Sequence, residues 1–259
     1  MKLHTVPAIR GVQWAKSGVQ TFFRQPLALS GLFFMLLALM SVVGALPVLG
    51  KALALILMPG ISMGLMIATR EASNGNFPMP LVLIRPFRAG RDQFKAMLVL
   101  GALYAVGILL ILACTSVVDG GGFAASVLLD TPLSEESQKS MDFQLAMLLA
   151  SALNMPLSLL FCHATALVHW HAVTPVKGLF FSAAAIWNNI RTFMVYGLVW
   201  MGVIFLFGMV MAMLVGVLGS VEAVTMILYP VAMLMAAMVF TSIYFTFVDS
   251  FEFTSGEGA

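Results

Sequence analysis

The sequence predicts an all-α integral membrane protein with six transmembrane helices. Its 259 residues are 61% hydrophobic and only 9% charged, with a mean hydropathy of +1.02, which lies far outside the range of soluble globular proteins. Six apolar runs are close to, or longer than, the roughly 20 helical residues that cross a hydrocarbon core. Basic residues cluster in alternate connections between these runs. Together the three observations indicate a single transmembrane domain over residues 1–259.

The six candidate spans cover about 27–49, 52–69, 96–118, 143–168, 193–218 and 223–248. Charged side chains are costly in hydrocarbon, and no Asp, Glu, Lys or Arg lies well inside any of these runs. A cleaved signal peptide is the alternative interpretation of the first run, which contains small residues at Val43-Gly44-Ala45. We expect a retained span, because signal peptides have short basic starts and apolar cores of about 7–15 residues.

The distribution of basic residues predicts the orientation of the spans, since Lys and Arg are retained on the cytoplasmic side during insertion. Eleven of the thirteen fall on one side of the predicted topology, and only Lys51 and Lys139 fall on the other. The eleven are Lys2, Arg10, Lys16, Arg24, Arg70, Arg85, Arg88, Arg91, Lys95, Lys177 and Arg191. We therefore expect both termini in the cytoplasm and the acidic loop 119–142 on the outer side.

The order of parts suggests three repeats, at about 11–74, 86–173 and 175–252, each a surface helix followed by a helical hairpin. In each repeat the second span carries a central proline followed by small residues. These prolines are Pro59, Pro156 and Pro230. Because an internal proline bends a helix and small residues let neighbouring backbones approach, we expect three kinked helices in a central cluster. The alternative is that alternating basic loops and intramembrane prolines are common to many six-span proteins.

The predicted surface helices are basic and amphipathic, a pattern typical of helices that lie in the membrane interface. In the first, apolar residues at helical spacing oppose Lys16 and Arg24; in the second, they oppose Arg88, Arg91 and Lys95. Such cations attract anionic headgroups, so these five residues are the candidate lipid contacts. A net charge of +2 is too small to indicate nucleic acid as a partner.

A polar seam runs along one face of the fourth span. Its members recur at steps of three or four residues, with one histidine beside them. They are Asn154, Ser158, Cys162, Thr165 and His169, with His163 as the neighbour. The seam indicates either a hydrophilic path or small-ligand site, or hydrogen bonding between helices, which contributes only about 0.6 kcal/mol per bond. A metal site fits poorly, because Cys162 and His163 point in different directions and a closed zinc site needs four convergent ligands.

Catalysis has little support in the sequence. There is no HExxH, GxSxG or phosphate loop, and no pair of intramembrane aspartates. No cofactor is expected. Proton-coupled transport is also disfavoured, since pumps of that kind usually carry carboxylates within their spans.

The first third of the chain resembles a known group of proteins. The resemblance rests on Gly11-Val12-Gln13-Trp14, Gly18 and Phe22-Phe23-Arg24-Gln25-Pro26, then on the proline-containing second span and the turn Asn74-Gly75-Asn76. This pattern, over about residues 7–90, resembles uncharacterised six-span inner-membrane proteins of proteobacteria. More distantly, it is similar to the membrane domain fused to some bacterial glycerophosphodiester phosphodiesterases. The resemblance implies a bacterial inner-membrane location and no activity, because in those fusions the chemistry resides in a soluble domain.

The leading hypothesis is a non-enzymatic inner-membrane scaffold or regulatory subunit that contacts anionic lipid through its basic helices. Its expected partners are membrane lipids and either other membrane proteins or further copies of itself. The alternative is a small-solute transporter or channel that uses the polar seam of the fourth span.

Overall fold

The computed structural model describes residues 2–47 and 49–252, which contain eleven α-helices. The helices are α1 Arg10–Arg24, α2 Pro26–Gly44, α3 Gly50–Ser73, α4 Arg85–Arg88, α5 Arg91–Asp119, α6 Gly122–Leu129, α7 Glu135–Lys139, α8 Met141–His171, α9 Pro175–Asn188, α10 Ile190–Leu218 and α11 Val221–Ser250. A 3₁₀ turn covers Pro80–Ile84, and the two-residue strands β1 Lys2–Leu3 and β2 Phe251–Glu252 pair antiparallel.

Six helices, α2, α3, α5, α8, α10 and α11, are long and apolar enough to cross a membrane. They coincide with the six predicted spans, so the all-α integral membrane fold is confirmed. Two of these helices end at a glycine that takes up a left-handed conformation. Gly120 and Gly219 follow α5 and α10 with positive φ angles of 66° and 64°, the left-handed conformation in which helices commonly terminate.

The prolines at the centre of the even spans, Pro59, Pro156 and Pro230, lie inside α3, α8 and α11, which continue on both sides of them. The bend that each proline should introduce stays a prediction. The threefold repeat stays a prediction as well. The connection between α5 and α8, which is predicted to be outside, contains α6 and α7. The Ser134 hydroxyl caps α7 by accepting a hydrogen bond from the Ser137 N–H at 3.1 Å.

The described chain groups into two compact units. The first comprises the described residues of 1–37, 62–85 and 180–259, and the second comprises 38–61 and 86–179. The boundaries lie within α2, α3, α4 and α9, so each of these helices contributes one part to each unit.

In the first unit, α1 packs directly against α10 and α11. Trp14 is only 1% exposed and its ring lies 5.1 Å from that of Phe193 and 6.1 Å from that of Tyr196. Two glycines bring the backbones together: a Cβ on Gly11 would lie 2.5 Å from the Thr192 carbonyl oxygen. A Cβ on Gly18 would collide with the α11 backbone in the same way. The helix is therefore docked by close backbone packing as well as by aromatic contacts.

The buried face of α1 differs from the predicted one. The helical spacing predicts an apolar face made of Val12, Ala15, Val19, Phe22 and Phe23. Ala15 and Phe22 are buried, but Val12 and Phe23 are 38% and 64% exposed. The buried residues are Gly11, Trp14, Ala15, Gly18, Thr21 and Phe22. The reason is that close packing of helices in lipid selects small residues, whereas large apolar side chains are equally well accommodated by acyl chains.

In the second unit, α5 packs along α8 around a core of Met97, Leu100, Phe161, Ala164 and Val168. At the end of the spans that is predicted to be outside, the Lys51 ammonium donates to the Val127 carbonyl at 2.7 Å and lies 2.8 Å from an Asp130 carboxylate oxygen. One of the two lysines predicted on the outer side therefore has an acidic partner in the outer loop.

The predicted second surface helix does not form as a separate element. Arg88 ends the four-residue helix α4, while Arg91 and Lys95 belong to the first turns of the spanning helix α5. Gly90 causes the break, because its φ of 129° is not compatible with a helix. Arg91 and Lys95 therefore lie at the start of the spanning helix, and Arg88 lies in the short helix just before it.

Candidate functional site

The polar seam lies on α8 in the second unit, and its members have different environments. Asn154 is exposed, and Ser158, Cys162 and His169 are partly buried. His163 and Thr165 are almost fully buried, at 0% and 1% exposure.

Several polar groups of the seam are engaged in hydrogen bonds. The Thr165 hydroxyl donates to the Cys162 carbonyl of its own helix at 2.9 Å. Ser158 is a side-chain hydrogen-bond partner of Tyr104 on α5. The first of these bonds lies within α8, whereas the second is of the kind that joins neighbouring transmembrane helices. The hydrophilic path stays a prediction.

The five predicted lipid contacts, Lys16, Arg24, Arg88, Arg91 and Lys95, are all exposed. Arg24 also donates from Nη1 to the Ser73 carbonyl at 3.2 Å, which joins the end of α1 to the end of α3 within the first unit. Of the other four, Lys16 lies in the middle of α1, Arg88 ends α4, and Arg91 and Lys95 lie in the first turns of α5.

A groove of about 430 Å³ lies beside Lys95, in the second unit. One wall is the first turns of α5, and the other is the end of α8 with the connection to α9. Its lining is Asp92, Gln93, Lys95, Ala96, Val99, Val168, Ala172, Val173, Thr174, Pro175 and Val176. The groove thus has charged groups at one end of the α5 wall and apolar groups along the rest.

Specific contacts hold the walls of this groove in place. The Gln93 side chain donates from Nε2 to the His169 carbonyl at 2.8 Å, which ties the start of α5 to the end of α8. Ala172 ends α8 with a φ of 51°, a left-handed conformation that is unfavourable for a residue with a Cβ. A Cβ on Gly178 would lie 3.2 Å from the Ala164 carbonyl, so α9 returns closely against α8.

A polar cluster around Asp249 lies in the first unit and was not predicted from the sequence. The Trp14 indole donates from Nε1 to Asp249 Oδ2 at 2.8 Å, and Arg10 Nε lies 3.8 Å from the same oxygen. The buried Asn189 side chain accepts from the Val6 N–H at 2.8 Å and donates to the His4 carbonyl at 2.9 Å. The cluster attaches the N-terminal segment to α10 and α11. A tryptophan on α1 and an acid at the end of the last span were the only sequence signals.

A comparison with curated proteins decides the family. The chain is 37% identical over 254 residues to a probable inner membrane protein of Burkholderia thailandensis, a match that covers 97% of this chain and 94% of the relative. The chain belongs to that inner-membrane family. No protein-family model matches it, and no solved structure matches it.

Membership of the inner-membrane family agrees with the six apolar helices and with the resemblance on which the location was predicted. The comparisons give no support to the more distant similarity to the membrane domain of glycerophosphodiester phosphodiesterases. The protein is therefore a multi-pass inner-membrane protein. The orientation of its termini stays a prediction.

Proposed function

We propose that this inner-membrane protein is a non-enzymatic scaffold or regulatory subunit that contacts anionic lipid through basic residues at the cytoplasmic ends of its helices. The observation that supports the proposal is the exposed basic group Arg88, Arg91 and Lys95 around the start of α5. Phe94, in the same turn, is 42% exposed, which adds an apolar contact next to the charges.

The electrostatic contribution of this group is large enough to measure. A basic residue near an anionic surface contributes about 1 kcal/mol, so three of them contribute roughly 3 kcal/mol. This corresponds to a preference of roughly 100-fold for an anionic over a neutral lipid. The preference should fall with ionic strength, because exposed charges are screened by salt.

The test uses the detergent-solubilised protein and fluorescent phosphatidylglycerol or phosphatidylcholine. The triple variant Arg88→Glu, Arg91→Glu and Lys95→Glu should lose the preference for phosphatidylglycerol. The control is Lys139→Glu, a charge reversal on the predicted outer side, which should leave the preference unchanged. Equal preference in the wild type and the triple variant would count against the proposal.

A small-solute transporter or channel is the second candidate function. The observation that favours it is the exposed amide of Asn154 in the middle of α8, where an apolar residue would be expected. Vesicles containing the protein would be assayed for glycerol and potassium flux, with Asn154→Leu and His163→Leu as variants. Flux that is identical in the wild type and both variants would remove the seam from consideration.

A further inference from the structure

We propose that the groove between the first turns of α5 and the α8–α9 connection binds one phospholipid whose headgroup carries both a phosphate and a primary ammonium, as phosphatidylethanolamine does. The inference goes beyond the contact with anionic lipid, because it assigns a defined site, a zwitterionic ligand and a role for an acidic residue.

The charges of the groove match such a headgroup. Asp92 and Lys95 both line it, and a separation of three residues places them on the same face of α5. Both are exposed, and neither takes part in a salt bridge within the described part of the chain. The Lys95 ammonium can therefore meet the lipid phosphate while the Asp92 carboxylate accepts hydrogen bonds from the lipid ammonium. A purely anionic headgroup would be repelled by Asp92.

The apolar part of the groove lies at the correct distance for an acyl chain. Val99 follows Asp92 by seven residues, which is a rise of roughly 10 Å along a helix. Val168 and Val173 face the same groove from α8 and the α8–α9 connection. The polarity thus changes along α5 from headgroup to hydrocarbon, as it does along a phospholipid at the membrane interface.

Contacts within the protein hold the walls of the groove, and a site that is held in this way lowers the entropic cost of binding. The hydrogen bond from Gln93 to the His169 carbonyl fixes the separation of the two walls. Its volume of about 430 Å³ lies within the roughly 300–1,000 Å³ typical of small-molecule sites.

The experiment measures retention of phosphatidylethanolamine, phosphatidylcholine and phosphatidylglycerol by the full-length protein with native mass spectrometry. Phosphatidylcholine has the same phosphate but a quaternary ammonium that cannot donate hydrogen bonds. The wild type should prefer phosphatidylethanolamine over phosphatidylcholine by about tenfold. Asp92→Asn should abolish that preference, and Lys95→Met should weaken retention of both lipids. Asp142→Asn, at the opposite end of α8, is the matched control.

A steric variant tests the acyl part without changing charge. Val99→Trp should reduce retention of phosphatidylethanolamine while the thermal unfolding midpoint of the protein stays near that of the wild type. Equal retention of phosphatidylethanolamine and phosphatidylcholine by the wild type, or an undiminished preference in Asp92→Asn, would overturn the inference. The contact with anionic lipid fails by a different result, namely phosphatidylglycerol binding that is insensitive to Arg88→Glu and Arg91→Glu.

Discussion

Replacement of Gly18 by alanine tests the close packing of α1 on α11. A Cβ at this position would lie 2.5 Å from Ser242 Cα and 2.8 Å from the Ser242 backbone nitrogen. Both are backbone atoms of a long helix, so no side-chain rotation can remove the clash. The two helices must separate, and the packing between them must loosen.

The expected loss follows from two opposing terms. Overpacking costs about 1–3 kcal/mol, whereas alanine in place of glycine favours a helix by about 1 kcal/mol. Because the clash is with backbone atoms, the overpacking cost should lie at the upper end of its range, and the net destabilisation should be about 2 kcal/mol. For a chain of this size, that corresponds to a fall of roughly 4–8 °C in the unfolding midpoint.

The measurement is thermal unfolding of the purified protein in detergent micelles. The matched control is Gly31→Ala in α2, because a Cβ there would meet nothing within 4 Å. Gly31→Ala should leave the midpoint unchanged or raise it slightly. If both variants unfolded at the same temperature, the argument for backbone contact between α1 and α11 would be refuted.

Two further predictions concern single groups elsewhere. Trp14→Phe keeps most of the buried ring but removes the indole donor to Asp249. Hydrogen bonds to charged groups contribute about 1.5–3 kcal/mol, and this carboxylate is partly exposed, so the loss should lie near the lower end, at about 1.5 kcal/mol. Trp187→Phe, at a side chain that is 79% exposed, should cost little in the same thermal assay, and equal losses would contradict this role of Asp249. Ala172→Gly should raise the unfolding midpoint, because glycine removes about 1 kcal/mol of left-handed backbone strain. A lower midpoint would show that the alanine methyl contributes more by contact than its backbone costs.

The six spans were predictable because the signal is local. Each run from about 27–49 to 223–248 contains its own evidence in continuous apolar residues, and lipid imposes the helical conformation on all of them. The end of α5 is marked in the same local way by three consecutive glycines, at positions 120–122. These features do not depend on how the helices pack.

The packing of α1 was not predictable from amphipathicity. The pattern of Val12 and Phe23 suggested an apolar face, but the real interface is built on Gly11 and Gly18, whose role appears only when a neighbouring backbone is present. Hydropathy cannot distinguish a residue that faces lipid from one that faces protein, since both environments are apolar.

The second basic segment shows a related ambiguity. Residues Arg88, Arg91 and Lys95 fit either a surface helix or the polar end of a span, and the outcome depends on Gly90. The groove beside Lys95 could not be predicted, because its second wall includes the α8–α9 connection, which lies more than 75 residues after Lys95 in the sequence. Contacts over that separation are not encoded in local periodicity.

The most direct test of the account is the side of the membrane on which the start of α5 lies. The native thiols Cys114 and Cys162 would be replaced by alanine, and single cysteines introduced as Arg88→Cys and Ser137→Cys. In intact spheroplasts, a membrane-impermeant maleimide should label the cysteine at position 137 and not that at position 88, which should react only after permeabilisation. Labelling of position 88 in intact spheroplasts would place the basic residues outside the cytoplasm and contradict the orientation on which the proposed function rests.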